Sequence, residues 1–239
     1  MRYSNIHEVS IVKRENRFIA TVLYQGEKVR VHVKNTGRLP ELVYEGAKGY
    51  ITLSDNPTRS TFADLVATER EISGINRVIN IDSGAPNDMV SEWLPSSGLF
   101  SPNARIKREV THGDSRFDIY VEDGERRAFI EVKGVTLIRE GTAVFPDAPT
   151  DRGRKHIHGL IDAVRSGYEG YIFFVIQTDG VESLIPNRLT DPAFADSLVL
   201  ASRSGVKVLA YDSLVTPISA KIQNPVKVIL TEDKCTSTK

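Results

Sequence analysis

Three charged side chains stand where strand interiors are expected: Asp118 in Phe117-Asp118-Ile119, and Glu131 and Lys133 in Ile130-Glu131-Val132-Lys133. A charge in an apolar strand is costly unless it is solvated, paired or bound to a cation. Two carboxylates suit a hard divalent cation such as Mg²⁺ or Mn²⁺, which takes oxygen ligands from protein, water and substrate phosphate. A lysine beside them can steady an attacking water or the charge that builds on phosphorus. That chemistry is metal-dependent cutting of a phosphodiester. A solvated Glu-x-Lys near some aspartate has the same spacing, so the pattern alone leaves both readings open.

The elements around these residues would bring them together. Phe117, Ile119 and Val121 alternate with Asp118 and Tyr120, the period of a strand, and Ala128 to Val132 forms a second. Asp123-Gly124 between them is a hairpin signal, so the two strands should pair antiparallel. Glu131 and Lys133 then share one face, and Asp118 can reach it from the partner strand. A helix predicted from Asp88 to about Leu94 carries Glu92. Glu92 is either a further ligand or water-positioning group for the same site, or a solvated helix residue.

Downstream, Gly141 to Thr150 reads as a loop. Thr150 or Asp151 caps a helix running to Ser166-Gly167, with Ile157, Leu160, Ile161 and Val164 as its buried stripe. Its start gathers Arg152, Arg154, Lys155 and His156. Cations are disfavoured at a helix N-terminus, whose free N–H groups favour phosphate. This end either binds an anion or is a solvated basic face. Arg105 and Lys107 form a second basic cluster. His156 and His158 are two apart on the helix and do not face each other, which argues against a His–His metal pair. Tyr171 to Ile176 is apolar throughout, as a strand covered on both faces would be. Asp191-Pro192 starts a helix ending at Ser204-Gly205, and Val206 to Tyr211 is a further strand. Residues 81–230 thus read as a mixed α/β sheet flanked by helices.

Residues 1–80 read as β, with strands at Glu8–Arg14, Phe18–Tyr24, Glu27–Val33, Gly49–Leu53 and Thr61–Ala67 and one helical turn at Arg38–Val43. Five short strands with a break after the third suit an OB-type barrel, and nearly as well an SH3-like one. The loops holding Asn35, Thr36 and Arg38, and Asn56 and Arg59, offer contacts to a nucleic-acid backbone, although turns use the same residue types.

Bulk properties exclude more than they assign. The chain has 239 residues and equal numbers, 31 each, of basic and acidic side chains, so any phosphate contact falls to local patches. The one cysteine, in the polar stretch 231–239, excludes an internal disulfide framework and a cysteine-based zinc site. There is no phosphate-binding Gly-x-x-x-x-Gly-Lys loop, no dinucleotide fingerprint and no Gly-x-Ser-x-Gly elbow. No apolar run reaches membrane-spanning length and no signal peptide stands at Met1 to Ser10, so a cytoplasmic location is expected. A homodimer is compatible with an enzyme that cuts both strands.

Several separated segments together resemble the sugar fermentation stimulation protein A (SfsA) family. They are Asn35-Thr36-Gly37, Ser54-Asp55-Asn56, Glu109 to Asp118, Glu131 to Leu137 and Phe145 to His156. The resemblance spans about Ile11 to Tyr211. It implies an N-terminal five-stranded OB-type barrel and a C-terminal mixed sheet similar to the PD-(D/E)xK nucleases, flanked by helices. It also implies DNA binding. The nuclease motif then falls on Asp118, Glu131 and Lys133, with Glu92 as the helix glutamate and the Val132 carbonyl as a further metal ligand. A DNA-binding regulator of sugar metabolism that does not cut is the alternative. The chain departs from the family pattern at Gly134, where serine is common, and at Val33-Lys34, where Cys-Pro is frequent.

Overall fold

The computed structural model describes residues 1–56 and 58–230; the polar tail expected at 231–239, with Cys235, lies outside the described residues. Six strands form the first unit: β1 (Ile6–Arg14), β2 (Ile19–Tyr24), β3 (Glu27–Val33), β4 (Lys48–Leu53), β5 (Ala63–Ile72) and β6 (Ile75–Asn80). Their order is β3-β2-β1-β4-β5-β6, and a parallel β3–β5 pairing closes the first five into an OB-type barrel. Closure leaves those strands no free edge. Alternate residues such as Ile11, Val22, Val31, Ile51 and Leu65 fill the interior.

Two expectations for this unit are corrected. Strand β5 runs on to Ile72, and a Ser73-Gly74 turn, both residues at positive φ, returns it as the unexpected β6. The helical turn expected at Arg38–Val43 is only a hydrogen-bonded turn, because Leu39 sits at φ 45°, outside the right-handed helical region.

The second unit comprises α1 (Ala85–Trp93), β7 (Arg105–His112), β8 (Ser115–Asp123), β9 (Arg126–Val135), β10 (Ile138–Arg139), β11 (Thr142–Phe145), α2 (Asp151–Arg165), β12 (Glu169–Ile176), β13 (Ser183–Pro186), α3 (Pro192–Arg203), β14 (Lys207–Thr216), β15 (Ser219–Pro225) and β16 (Lys227–Val228). The main sheet has the order β15-β14-β12-β9-β8-β7. Strands β9, β12 and β14 run parallel at its centre, with an antiparallel hairpin at each edge. Helix α1 packs Met89 and Val90 on one face with Ile130, Val132 and Phe173. Helices α2 and α3 cover the other with Ile157, Leu160 and Phe194 against Phe117, Phe129 and Phe174. Burial on both faces explains the unbroken apolar run of β12.

Here too the structure adds elements. The stretch Gly141–Thr150, expected as a loop, holds β11, which pairs parallel with β13 in a small sheet β10-β11-β13-β16. Helix α1 starts at Ala85 rather than Asp88, with Pro86 in its first turn, where a missing N–H costs nothing. Residues at the start of the chain leave the barrel: Arg2 bridges to Ser219 and Tyr3 N–H donates to Ile218 O, at the edge of the main sheet.

Candidate active site

The expected hairpin forms, but its turn is centred on Gly124-Glu125, one residue beyond the Asp123-Gly124 signal. Asp123 pairs with Arg126 around Gly124-Glu125, and Gly124 takes the positive φ that a tight turn needs at its first central position. The β8–β9 ladder ends at Ile119↔Ile130, directly before the two carboxylates. Simple alternation fails there: Phe117 lies in the core under α2, whereas Ile119 lies in the core under α1. Asp118 therefore sits where the alternation of β8 breaks. One carboxylate oxygen takes the ladder's next place, accepting from Val132 N–H at 2.8 Å. The other accepts from Asn87 Nδ2 of α1 at 3.0 Å. Across from it in β7, Glu109 has φ 57°, a value that a bulky residue seldom adopts.

Glu131 points the other way along its strand's period, toward α2, and is almost wholly buried at 2% exposure. Its Oε1 accepts from Lys133 Nζ at 2.6 Å and is also hydrogen-bonded to His156 Nδ1. Its Oε2 is buried and no hydrogen-bond donor reaches it. Helix α2 can come this close because Gly159 faces β8: a Cβ there would stand 2.9 Å from Ser115 Cβ and 3.1 Å from the Phe117 ring. Burial pushes the Asp118 carboxyl above the usual carboxylate range, and the neighbouring Glu131 charge adds to this. For Glu131, burial also acts upward, but His156 and Lys133 outweigh it and hold the group below its ordinary value. Two adjacent carboxylates thus have environments that push them apart.

The structure brings Asp118, Glu131 and Lys133 together. It does not bring Glu92 there: that side chain is exposed and pairs with the Met1 amino group at 2.5 Å. The α1 residue that touches the site is Asn87. Nor does His156 lie on a basic face. It is buried in α2, one turn before Leu160 on the same stripe, and the stripe extended backwards would have shown this. Arg154 is engaged by Asp191 and Asp151, and Arg59 by Asp64. Asn35 ties its own turn at Gly37 N–H and reaches Ile81 O, and Asn56 closes a turn at Thr58. Arg105 and Lys107 pair weakly with Glu122. Thr36, Arg38, Arg152 and Lys155 are exposed, and none of them forms an ion pair among the described residues.

The two carboxylates fit a divalent cation by donor chemistry and by the unpartnered Glu131 oxygen. Among the described residues no group of three or more His, Cys, Asp or Glu side chains is placed to hold a metal. Magnesium sites of one or two carboxylates completed by water and phosphate need no such group.

A closed five-stranded barrel joined to a mixed sheet with three helices defines the class. The particular family follows from three comparisons. Residues 12–81 match the SfsA N-terminal OB domain, and residues 84–219 match the sugar fermentation stimulation protein RE domain. A sugar fermentation stimulation protein homolog of Desulfitobacterium hafniense is 46% identical over 232 residues, covering 97% of this chain and all of the relative. One from Ruminiclostridium cellulolyticum is 46% identical over 230 residues, covering 96% and 100%. The solved structure of Pyrococcus furiosus SfsA in complex with Ca²⁺ superposes with a TM-score of 0.82 at 28% identity, over 96% of this chain and 98% of that one. The chain belongs to the sugar fermentation stimulation protein family. Its OB domain suggests nucleic-acid binding, and no helix among the described residues is long and apolar enough to cross a membrane.

Proposed function

We propose that this chain is a DNA-binding, divalent-metal-dependent nuclease that hydrolyses phosphodiester bonds, with Asp118 and Glu131 holding Mg²⁺ or Mn²⁺. The buried, unpartnered Oε2 of Glu131, whose charge is felt by Asp118, carries the reading, because a buried carboxylate oxygen without a donor is costly unless a cation takes that place. The Ca²⁺ with which the Pyrococcus furiosus protein was solved is a hard cation of the same preference. Bound metal would supply Lewis acidity toward the phosphate. The chain's own groups do the positioning. Val132 N–H and Asn87 orient Asp118, and Lys133 and His156 restrain Glu131 through one oxygen, leaving the other for the ion. Lys133, at the end of this array, orients water or meets charge on phosphorus. The Val132 carbonyl completes the set of protein ligands.

A second reading rests on the same contacts. Lys133 and His156 already neutralise Glu131, as in a structural ion cluster of a DNA-binding protein that does not cut. One experiment separates the two. Purified protein is incubated with single-stranded, duplex and branched DNA in Mg²⁺ or Mn²⁺, beside Glu131→Ala, Lys133→Ala and His156→Asn. Cutting that needs metal, is lost in the first two and is partly kept in the third supports the nuclease. DNA binding by all four with no cutting of any substrate sinks it.

A further inference from the structure

A cleft of about 480 Å³ lies between the barrel and the main sheet. The barrel contributes Arg17 and the loop Asn35 to Leu39. The opposite wall is Gly134 to Leu137 of β9 and beyond, with Phe145 to Thr150. These are the continuations of the elements that carry the carboxylate site. Gly134 follows Lys133 directly, and Thr150 caps α2, which bears His156. The cleft wall thus begins one residue after Lys133.

The lining has the chemistry of a nucleotide. Arg17 and Arg38 are exposed and form no ion pair among the described residues. Asp147 is the single acid in the wall. Leu137 and Phe145, both partly exposed, offer apolar surface for a base. At the floor, Gln177 is 1% exposed; its Nε2 donates to Asn80 Oδ1 at 2.9 Å and to Asp82 O at 3.1 Å. That turns its Oε1 toward Gly134, where a Cβ would stand 2.5 Å from it. A buried acceptor thus faces the cleft over a residue that has no side chain. Small-ligand pockets run from roughly 300 to 1,000 Å³, the size class of a single nucleotide. A duplex, whose major groove alone is about 12 Å wide, does not fit.

We propose that this cleft takes one unpaired nucleotide of a DNA strand, its phosphate at Arg17 and Arg38 and its base against Phe145 and Gln177, so that the substrates are strands with unpaired ends or tails. This deepens the nuclease reading and names its substrate class. It is tested by binding in EDTA, where no cutting takes place and the metal is not engaged. Fluorescence anisotropy compares a single strand, a blunt duplex, the same duplex with an unpaired 3′ or 5′ tail, and a mononucleotide. The single strand and one tailed duplex should bind about tenfold more tightly than the blunt duplex. Arg17→Ala, Arg38→Ala and Ala148→Trp, which fills the cleft from an exposed rim position, should each remove most of that preference with Tm unchanged. Equal binding of blunt and tailed duplex, a preference that survives all three variants, or a mononucleotide held as tightly as the tail would overturn the proposal. If the preference holds but Mn²⁺ produces no cutting, the nuclease reading fails while the pocket stands.

Discussion

Asp118 illustrates how a functional carboxylate works against its own fold. Burial first, and the Glu131 charge second, raise its proton affinity above the ordinary carboxylate value of 3.8. A group whose folded value is raised contributes stability below the unfolded value and loses it as pH climbs through the folded one. As pH climbs, burial of the Asp118 carboxyl therefore works against the stability of the metal-free protein. Asp118→Asn is expected to raise Tm in EDTA at pH 7. Mn²⁺ should raise the Tm of the parent by mass action and leave the variant unmoved. Thermal unfolding with and without metal checks both, and a lower Tm for the variant in EDTA would show that Asp118 is chiefly structural. The residue types of this site could be read from sequence, because two carboxylates and a lysine on apolar strands have few explanations. Their partners could not. Asn87 is an ordinary helix polar residue until α1 is docked on Ile130 and Val132. His156 is hidden among basic neighbours, although its spacing from Leu160 already placed it on the buried stripe.

Between elements, the centre of the sheet is tied by a charged knot at the far end from the carboxylates. Glu169 opens β12 and bonds Arg126 of β9 at 2.7 Å, Lys207 of β14 at 2.7 Å and the Tyr171 hydroxyl at 2.6 Å. The Arg126 contact leads in drawing its carboxyl from 4.5 down to about 2. A depressed folded value means stability that is present above pH 4.5 and is lost as pH falls through about 2. Glu169→Gln should lower Tm at pH 7 and flatten its fall between pH 4.5 and 2, which a pH series of thermal melts will show. A parallel pH dependence in parent and variant would remove Glu169 from the cause. The three strands joined here were all expected from the sequence, whereas the strands of the small sheet were not. The continuous apolar run of β12 and the hairpin strand β9 were legible from pattern and turn chemistry. The short β11, β13 and β16 were not, since four residues or fewer carry no period and are strands only because they find one another. Strand β6 was missed because Ser-Gly is a weaker turn signal than the Asp-Gly of the other hairpin.

For the whole molecule, the decisive feature is a buried polar junction that holds barrel and sheet in one arrangement. Asn80, the last residue of β6, donates to Tyr3 Oη at 2.8 Å and accepts from Gln177 Nε2 at 2.9 Å. Tyr3 in turn donates to Asp82 Oδ2 at 3.1 Å, and Lys34 of the barrel pairs with the same carboxylate oxygen at 2.8 Å. Burial, with Asp82 second, pushes the Tyr3 hydroxyl well above its ordinary range, so it stays a neutral donor. The junction thus links the start of the chain, the barrel and the end of β12, and it fixes Gln177 at the floor of the cleft. Removing one member leaves the others buried without partners, which costs about 1–3 kcal/mol for each orphaned group. Asn80→Ala is accordingly expected to lower Tm within a single calorimetric transition, because barrel and sheet lose their polar anchor but keep one continuous apolar cluster. It should also weaken binding of tailed DNA more than of blunt duplex, since Gln177 is released while Arg17 and Arg38 remain. An unchanged Tm with unchanged DNA preference would mean that the apolar contact between the two units, not the polar junction, sets their relation.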